Sequence, residues 1–193
     1  MRPLRGRSCS RLRTQGARRN DKNRQRRRDE PDDHAIGRSR GGLTTKTHCL
    51  VDGFGRPLVI AVTPGQAGDS PALPALLTEL RVPRVGAGRP RTRPDALRGD
   101  KAYSSRGHRA HLRSRGIVAV IPEPGDQAGH RRRRGSDGGR PPRFDAEDYK
   151  GRNVVERAFN QFKNWRGLAT RYDKHALVFR GGLVLAAILL WLK

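Results

Sequence analysis

Apolar and polar residues follow short strand and helix periods along most of the chain after residue 43. Residues 45–51 alternate between two faces, as in a half-buried strand, and Asp52-Gly53-Phe54-Gly55 is typical of a tight turn. Pro57–Val62 then supplies a returning strand, so Leu43–Val62 is predicted to be a hairpin.

Helices and short strands alternate further along the chain. Asp69-Ser70-Pro71 predicts the start of a helix that ends near Leu80, and Ser104/Ser105 the start of one that ends near Arg115. Short strands are predicted within residues 95–103 and 117–121, and a mobile loop within the Gly-, Arg- and Pro-rich residues 122–143.

The C-terminal run Gly182–Leu192 is continuously apolar. It is shorter than the about 20 residues that a membrane-spanning helix needs. We therefore expect a buried helix that closes the core, and no membrane partner.

Residues Tyr149–Lys163 are predicted to form one helix, because their apolar members recur at spacings of three and four. Four polar residues then share one ridge of this helix: Tyr149, Arg152, Glu156 and Lys163. One interpretation of the ridge is a solvated face with an Arg152–Glu156 pair, which contributes only a few tenths of a kcal/mol.

Charge narrows the possible partners. The 193 residues carry a net charge of +24, which favours a polyanion such as DNA or RNA. Basic residues dominate positions 1–28, and residues 1–33 lack an apolar period, so we predict a disordered basic arm there. Two cysteines, and no apolar signal-peptide region, favour a reducing compartment, and we expect a cytoplasmic protein.

The ridge also matches a known signature. Its spacing, Y-x2-R-x3-E-x6-K, resembles that of bacterial insertion-sequence transposases of the DDE class. Residues 164–174 and 37–48 resemble the insertion-sequence-five group of that class, and the resemblance runs from about Asp29 to the C-terminus. It implies a ribonuclease-H-like α/β domain over residues 34–193, with a mixed sheet and flanking helices, that cuts and joins DNA.

The resemblance also implies roles for individual residues. Asp100, in G-D-K-A-Y-S-S, and Glu156 would be the second and third catalytic carboxylates and would bind Mg²⁺ or Mn²⁺. Tyr149, Arg152 and Lys163 would contact DNA at transposon ends, where a nucleoid-associated homo-oligomer would form.

The family's first Asp, in a D-S-T-V-V-like strand, has no match near the start of this sequence. Asp52 lies in a strand-turn position, where turn chemistry explains it. We therefore expect a truncated or frame-shifted copy that lacks the first strand and is impaired in catalysis.

Other interpretations remain open at this point. The chain could be a non-catalytic basic nucleic-acid-binding protein, or an RNA- or ribosome-associated protein that needs neither carboxylate. Asp100 alone would more often be a turn or cap residue. His108 and His111 share a helix face, but no third ligand with zinc spacing lies nearby.

Overall fold

A computed structural model describes residues 34–40 and 42–192. The predicted basic arm, residues 1–33, lies outside the described residues.

The predicted hairpin is the centre of a three-stranded antiparallel sheet. Its strands are β1 (Gly37–Ser39), β2 (Gly42–Val51) and β3 (Pro57–Pro64), in the order β1-β2-β3. The turn between β2 and β3 closes on Asp52, whose Oδ1 accepts hydrogen bonds from the backbone N–H groups of Phe54 and Arg56, both at 2.9 Å. This is the turn chemistry that the sequence predicts for Asp52.

Two further strands form a separate sheet. β4 (Ala96–Arg98) and β5 (Val118–Val120) pair in parallel, and α2 (Arg106–Ser114) connects them. The α/β class is therefore confirmed. Among the described residues, however, the strands form two sheets rather than the one mixed sheet that we expected.

Helices cover both faces of the three-stranded sheet. On one face lies α1 (Ala72–Glu79), whose leucines are buried with residues of α2 and β5. On the other face lie α5 (Asn153–Lys163) and α7 (Ala176–Trp191), whose buried side chains surround Ile60. The remaining helices are α3 (Gly125–Arg133), α4 (Ala146–Lys150) and α6 (Arg166–Thr170).

The predicted mobile loop at residues 122–143 was wrong as to secondary structure. These residues include α3 and a short 3₁₀ helix, Gly135–Gly138. Glu123, just before α3, accepts two hydrogen bonds from the guanidinium of Arg131, at 3.2 and 2.8 Å. Asp126 lies in the first turn of α3 and basic residues in its last turn, the arrangement that the helix dipole favours.

The apolar C-terminal run does form a helix, but only one side of α7 is buried. Phe179, Leu183 and Leu190 face the core, whereas Leu177, Leu185 and other large apolar residues are exposed. The prediction of a wholly buried helix was therefore too strong. Among the described residues, no helix is long and apolar enough to cross a membrane.

Candidate active site

A large cavity lies between the two sheets. Its volume is about 740 Å³, and its walls come from β2, β4, α1 and the first turn of α5. We call it the intersheet cavity. Both predicted catalytic carboxylates, Asp100 and Glu156, line it although they are far apart in sequence.

Asp100 follows β4 directly, at the carboxyl end of that strand. Its Oδ1 accepts a hydrogen bond of 2.9 Å from the backbone N–H of Ala102 and so caps the 3₁₀ helix Lys101–Tyr103. Its Oδ2 has no hydrogen-bond partner within the described part of the chain. The cap therefore occupies one oxygen of Asp100 and leaves the other available to a ligand.

Asp100 also contributes to a raised pKa of the Tyr103 phenol. Burial, together with the charges of Asp69 and Asp100, raises the pKa of Tyr103 to about 12. Tyr103 lines the same cavity and stays protonated at neutral pH, so it can donate a hydrogen bond there but does not serve as a base.

Glu156 lies in the first turn of α5, and its side chain is 56% exposed. Its Oε1 accepts a hydrogen bond of 2.5 Å from Nη2 of Arg152. This is the i,i+4 pair that the sequence predicts. Its contribution to stability is small because it is solvent-exposed. The second carboxylate oxygen, Oε2, has no partner among the residues described.

The predicted helix Tyr149–Lys163 is divided in two. Tyr149 lies in α4, and Gly151 and Arg152 form a turn before α5 begins at Asn153. Propensity explains the division in part, since Gly is among the weakest helix formers. Both residues keep helical backbone angles. The division is therefore one of hydrogen bonding: the backbone N–H groups of Gly151 and Arg152 donate to the carbonyls three residues earlier, as in a turn.

Three of the four ridge residues are nevertheless close together. The guanidinium of Arg152 lies 5.8 Å from the centre of the Tyr149 ring and also binds Glu156. The Tyr149 ring packs edge-on against Phe144, with centroids 5.3 Å apart. Lys163 lies at the other end of α5, about 10 Å along the axis from Glu156 at 1.5 Å per residue.

The alternative ligands have other roles. Asp52 lines the intersheet cavity, but its Oδ2 accepts a 2.7 Å hydrogen bond from the Arg56 guanidinium while its Oδ1 closes the turn. His108 is hydrogen-bonded to Ser70 at 2.5 Å. No group of three or more His, Cys, Asp and Glu side chains suited to a metal was found in residues 34–40 and 42–192.

One contact that sequence reasoning missed connects β4 to α4. The guanidinium of Arg98 donates to the carboxylate of Asp148 and, at 3.0 Å, to the Asp148 backbone carbonyl. Arg98 lies two residues before Asp100, so this contact holds the start of the α4–α5 segment beside the strand that carries Asp100. Nothing in the local sequence of either residue indicates the pairing.

We expect Arg98→Gln to loosen the α4–α5 junction without unfolding the protein. A partly exposed ion pair contributes about 1 kcal/mol or less to global stability, but its loss frees a junction that has few buried side chains. Hydrogen exchange should become faster at the amides of residues 148–155. Arg91→Gln, which removes the exposed Arg91–Asp95 pair, is the matched control and should leave these amides unchanged. Equal exchange in both variants would show that Arg98 does not position the junction.

Comparison of the sequence with known proteins identifies the family of this chain. The profile of the family described as "Transposase DDE domain" matches residues 10–191. The chain is 31% identical over 155 residues to a putative transposase for insertion sequence element IS6501 from Brucella ovis, an alignment that covers 78% of this chain and 100% of the relative.

A second relative comes from another bacterium. The chain is 31% identical over 146 residues to a putative transposase for insertion sequence element IS402 from Burkholderia cepacia. That alignment covers 76% of this chain and 62% of the relative. No solved structure matches the chain.

Proposed function

Because this chain belongs to the family of transposase DDE domains, we propose that it binds insertion-sequence DNA and carries part of a metal-dependent strand-cleavage site in the intersheet cavity. The observation that carries the proposal is the placement of Asp100 and Glu156 on one cavity. Two separate sequence motifs, G-D-K-A-Y-S-S for Asp100 and Y-x2-R-x3-E-x6-K for Glu156, single out these residues independently of this placement.

The number and kind of the available oxygens are sufficient for one hydrated divalent cation. Mg²⁺ keeps several waters in proteins and needs only one or two carboxylates. Asp100 and Glu156 each offer one oxygen that other described residues leave free. When bound, such a cation offsets charge on a scissile phosphate and activates an oxygen nucleophile.

The residues around the cation site would handle DNA. Arg152 binds Glu156 through Nη2, and the other N–H donors of its guanidinium would be available to a backbone phosphate. Tyr149 offers a ring against which a base or sugar packs, and Lys163 carries a charge with no ion-pair partner among the described residues. These contacts would position transposon ends, with a homo-oligomer assembling on the DNA near the nucleoid.

The order of elements supports a ribonuclease-H-like ancestry. A β-hairpin comes first, β4 ends in Asp100, and a later helix, α5, carries Glu156. The two sheets of the described residues are consistent with such a core without a strand between β2 and β4. On this proposal, the chain has kept the DNA-binding part of the function and lost most of the cleavage activity.

Mn²⁺ affinity, measured by electron paramagnetic resonance of free Mn²⁺, tests the proposed cation site. We expect Asp100→Asn and Glu156→Gln each to weaken binding by about tenfold or more, a loss of about 1.4 kcal/mol. Asp95→Asn is the matched control, because Asp95 lines the same cavity but is paired with Arg91. Equal affinity in all four proteins would refute the site.

The second candidate function is a basic nucleic-acid-binding protein without catalysis, and the net charge of +24 favours it. Such a protein would have no Mn²⁺ site that Asp100→Asn weakens, and its affinity for DNA or RNA would not depend on Asp100. The same Mn²⁺ titration therefore distinguishes the two candidates.

A further inference from the structure

The intersheet cavity is bordered by two strand edges whose backbone groups pair with no other strand among residues 34–40 and 42–192. We propose that this cavity is a binding site for a single extended strand from another polypeptide, which would join the two sheets into one. The inference uses backbone geometry and apolar packing, and it does not depend on metal binding by Asp100 and Glu156.

One open edge belongs to β2. The backbone N–H of Gly65 donates to the carbonyl of Thr44, and that of Asp52 donates to the carbonyl of Arg56, so the even-numbered residues of β2 face β3. By the alternation of an antiparallel strand, the backbone groups of Thr47 and Cys49 face the opposite edge. Both residues line the intersheet cavity, and no described strand pairs with β2 at these positions.

The other open edge belongs to β4. Gly99 donates its N–H to the carbonyl of Val120, and Asp95 accepts from the N–H of Val118, so the odd-numbered residues of β4 face β5. The backbone groups of Ala96 and Arg98 therefore face away from β5. Ala96 and Arg98 also line the intersheet cavity, and β4 pairs only with β5 among the described strands.

Strand edges with unpaired N–H and C=O groups are templates for another strand. Here two such edges border one cavity, so a strand placed between them would satisfy both. The open stretch of β2 is about five residues, or roughly 17 Å at ~3.4 Å per residue, which is a common strand length.

The walls of the cavity define the side chains of the occupant. On the α1 side the lining includes Leu73 and Leu76, and on the α5 side Val154, Val155 and Phe159. A strand that is covered by helices on both faces is typically a continuous aliphatic run. Against these apolar walls the occupant is therefore a segment rich in Val and Ile, without Pro.

The chain's own first residues do not fit this description. Residues 1–28 carry a basic residue at almost every second or third position, and Arg is rarely buried without a partner. The chain enters the fold at one end of the open edge, where Thr45 Oγ1 donates to the carbonyl of Ala35 at 2.7 Å. No described strand covers the edge at Thr47 and Cys49, and we assign this edge to a segment of another polypeptide.

A fluorescein-labelled peptide tests the proposal with the full-length chain. The peptide has seven alternating Val and Ile residues flanked by Lys for solubility, and its control is the same sequence N-methylated on alternate amides. Anisotropy should show saturable binding of the first peptide and at least tenfold weaker binding of the control. Equal binding of both peptides, or binding of neither, would overturn the proposal.

A pair of variants locates the site. Ala96→Pro removes an N–H that faces the cavity and keeps the β4–β5 hydrogen bonds, so it should abolish peptide binding, whereas Ala96→Val should preserve it. If Ala96→Pro fails to fold, hydrogen exchange of the native chain tests where the peptide binds instead. The amides of Thr47 and Cys49 should exchange fast without the peptide and slowly with it. Slow exchange in its absence would show that the chain fills its own cavity, and unchanged fast exchange on adding the peptide would place binding elsewhere. Either result would contradict the proposal.

Discussion

The affinity of this protein for duplex DNA should fall by about 10³–10⁵-fold between 50 and 200 mM salt. That range is typical of proteins that make about 6–10 phosphate contacts, because each neutralised phosphate releases counterions. A net charge of +24 provides more than enough cations for such a contact set. Fluorescence anisotropy with a labelled duplex at several salt concentrations gives the slope of log affinity against log salt.

Three variants measure how much different parts of the chain contribute to this slope. Deletion of residues 1–28 should reduce it substantially, because these residues are strongly basic. Lys163→Gln should reduce it by about 1, the contribution of one phosphate contact. Lys150→Gln is the matched control, since Lys150 is already paired with Glu147 at 2.7 Å, and it should change the slope less. A flat salt response of the native chain would rule out a phosphate-dominated interface.

Nicking of a supercoiled plasmid that carries matched insertion-sequence ends should be no faster with the native chain than with Glu156→Gln, in Mg²⁺ or in Mn²⁺. Asp100 and Glu156 are the two predicted catalytic carboxylates on the cavity, and no cluster of three or more potential metal ligands was found in the described residues. Loss of one electrostatic element from an active site typically costs about 10²–10³-fold in rate.

The control for this assay is Glu147→Gln, which removes a nearby carboxylate that is paired with Lys150 rather than exposed to the cavity. It should nick at the same low rate. Robust cleavage that Glu156→Gln abolishes and Glu147→Gln preserves would contradict the prediction. It would show that another acidic residue completes the site, and Asp52→Asn would then test the turn carboxylate that lines the same cavity.

Local signals in the sequence predicted most of the secondary structure. The hairpin of β2 and β3 follows from alternation and a turn, and Ser105 begins α2 by accepting a hydrogen bond from the N–H of His108. Gly116 ends α2 with a φ of 65°, a conformation that glycine adopts without strain. These features depend on neighbours in sequence, so one sequence is enough to indicate them.

Features that depend on distant residues were missed. The Arg98–Asp148 contact, which positions the α4–α5 junction, joins an ordinary Arg and an ordinary Asp. The stabilisation of α3 by Glu123 and Arg131 likewise needs the folded geometry, because a Gly- and Arg-rich composition favours a loop. The exposed side of α7 could not be predicted either, since its apolar run has no polar face to orient it.

The candidate site was predicted only in part, since its residues have local sequence signals and its surroundings depend on distant contacts. The signature Y-x2-R-x3-E-x6-K singled out Glu156 and its neighbours, and the strand-end position singled out Asp100. The sequence did not reveal that the cavity which they line separates two sheets with open edges. That arrangement depends on the pairing of strands, which is set by contacts far apart in the chain.

A double-mutant cycle on Mn²⁺ affinity tests most directly the claim that Asp100 and Glu156 bind one cation together. Two ligands of one cation are coupled, so the free-energy effects of the single changes do not add. We predict that the double variant, Asp100→Asn/Glu156→Gln, has the same Mn²⁺ affinity as whichever single variant binds Mn²⁺ less tightly. Strictly additive losses in the double variant would show two separate sites and would contradict the account.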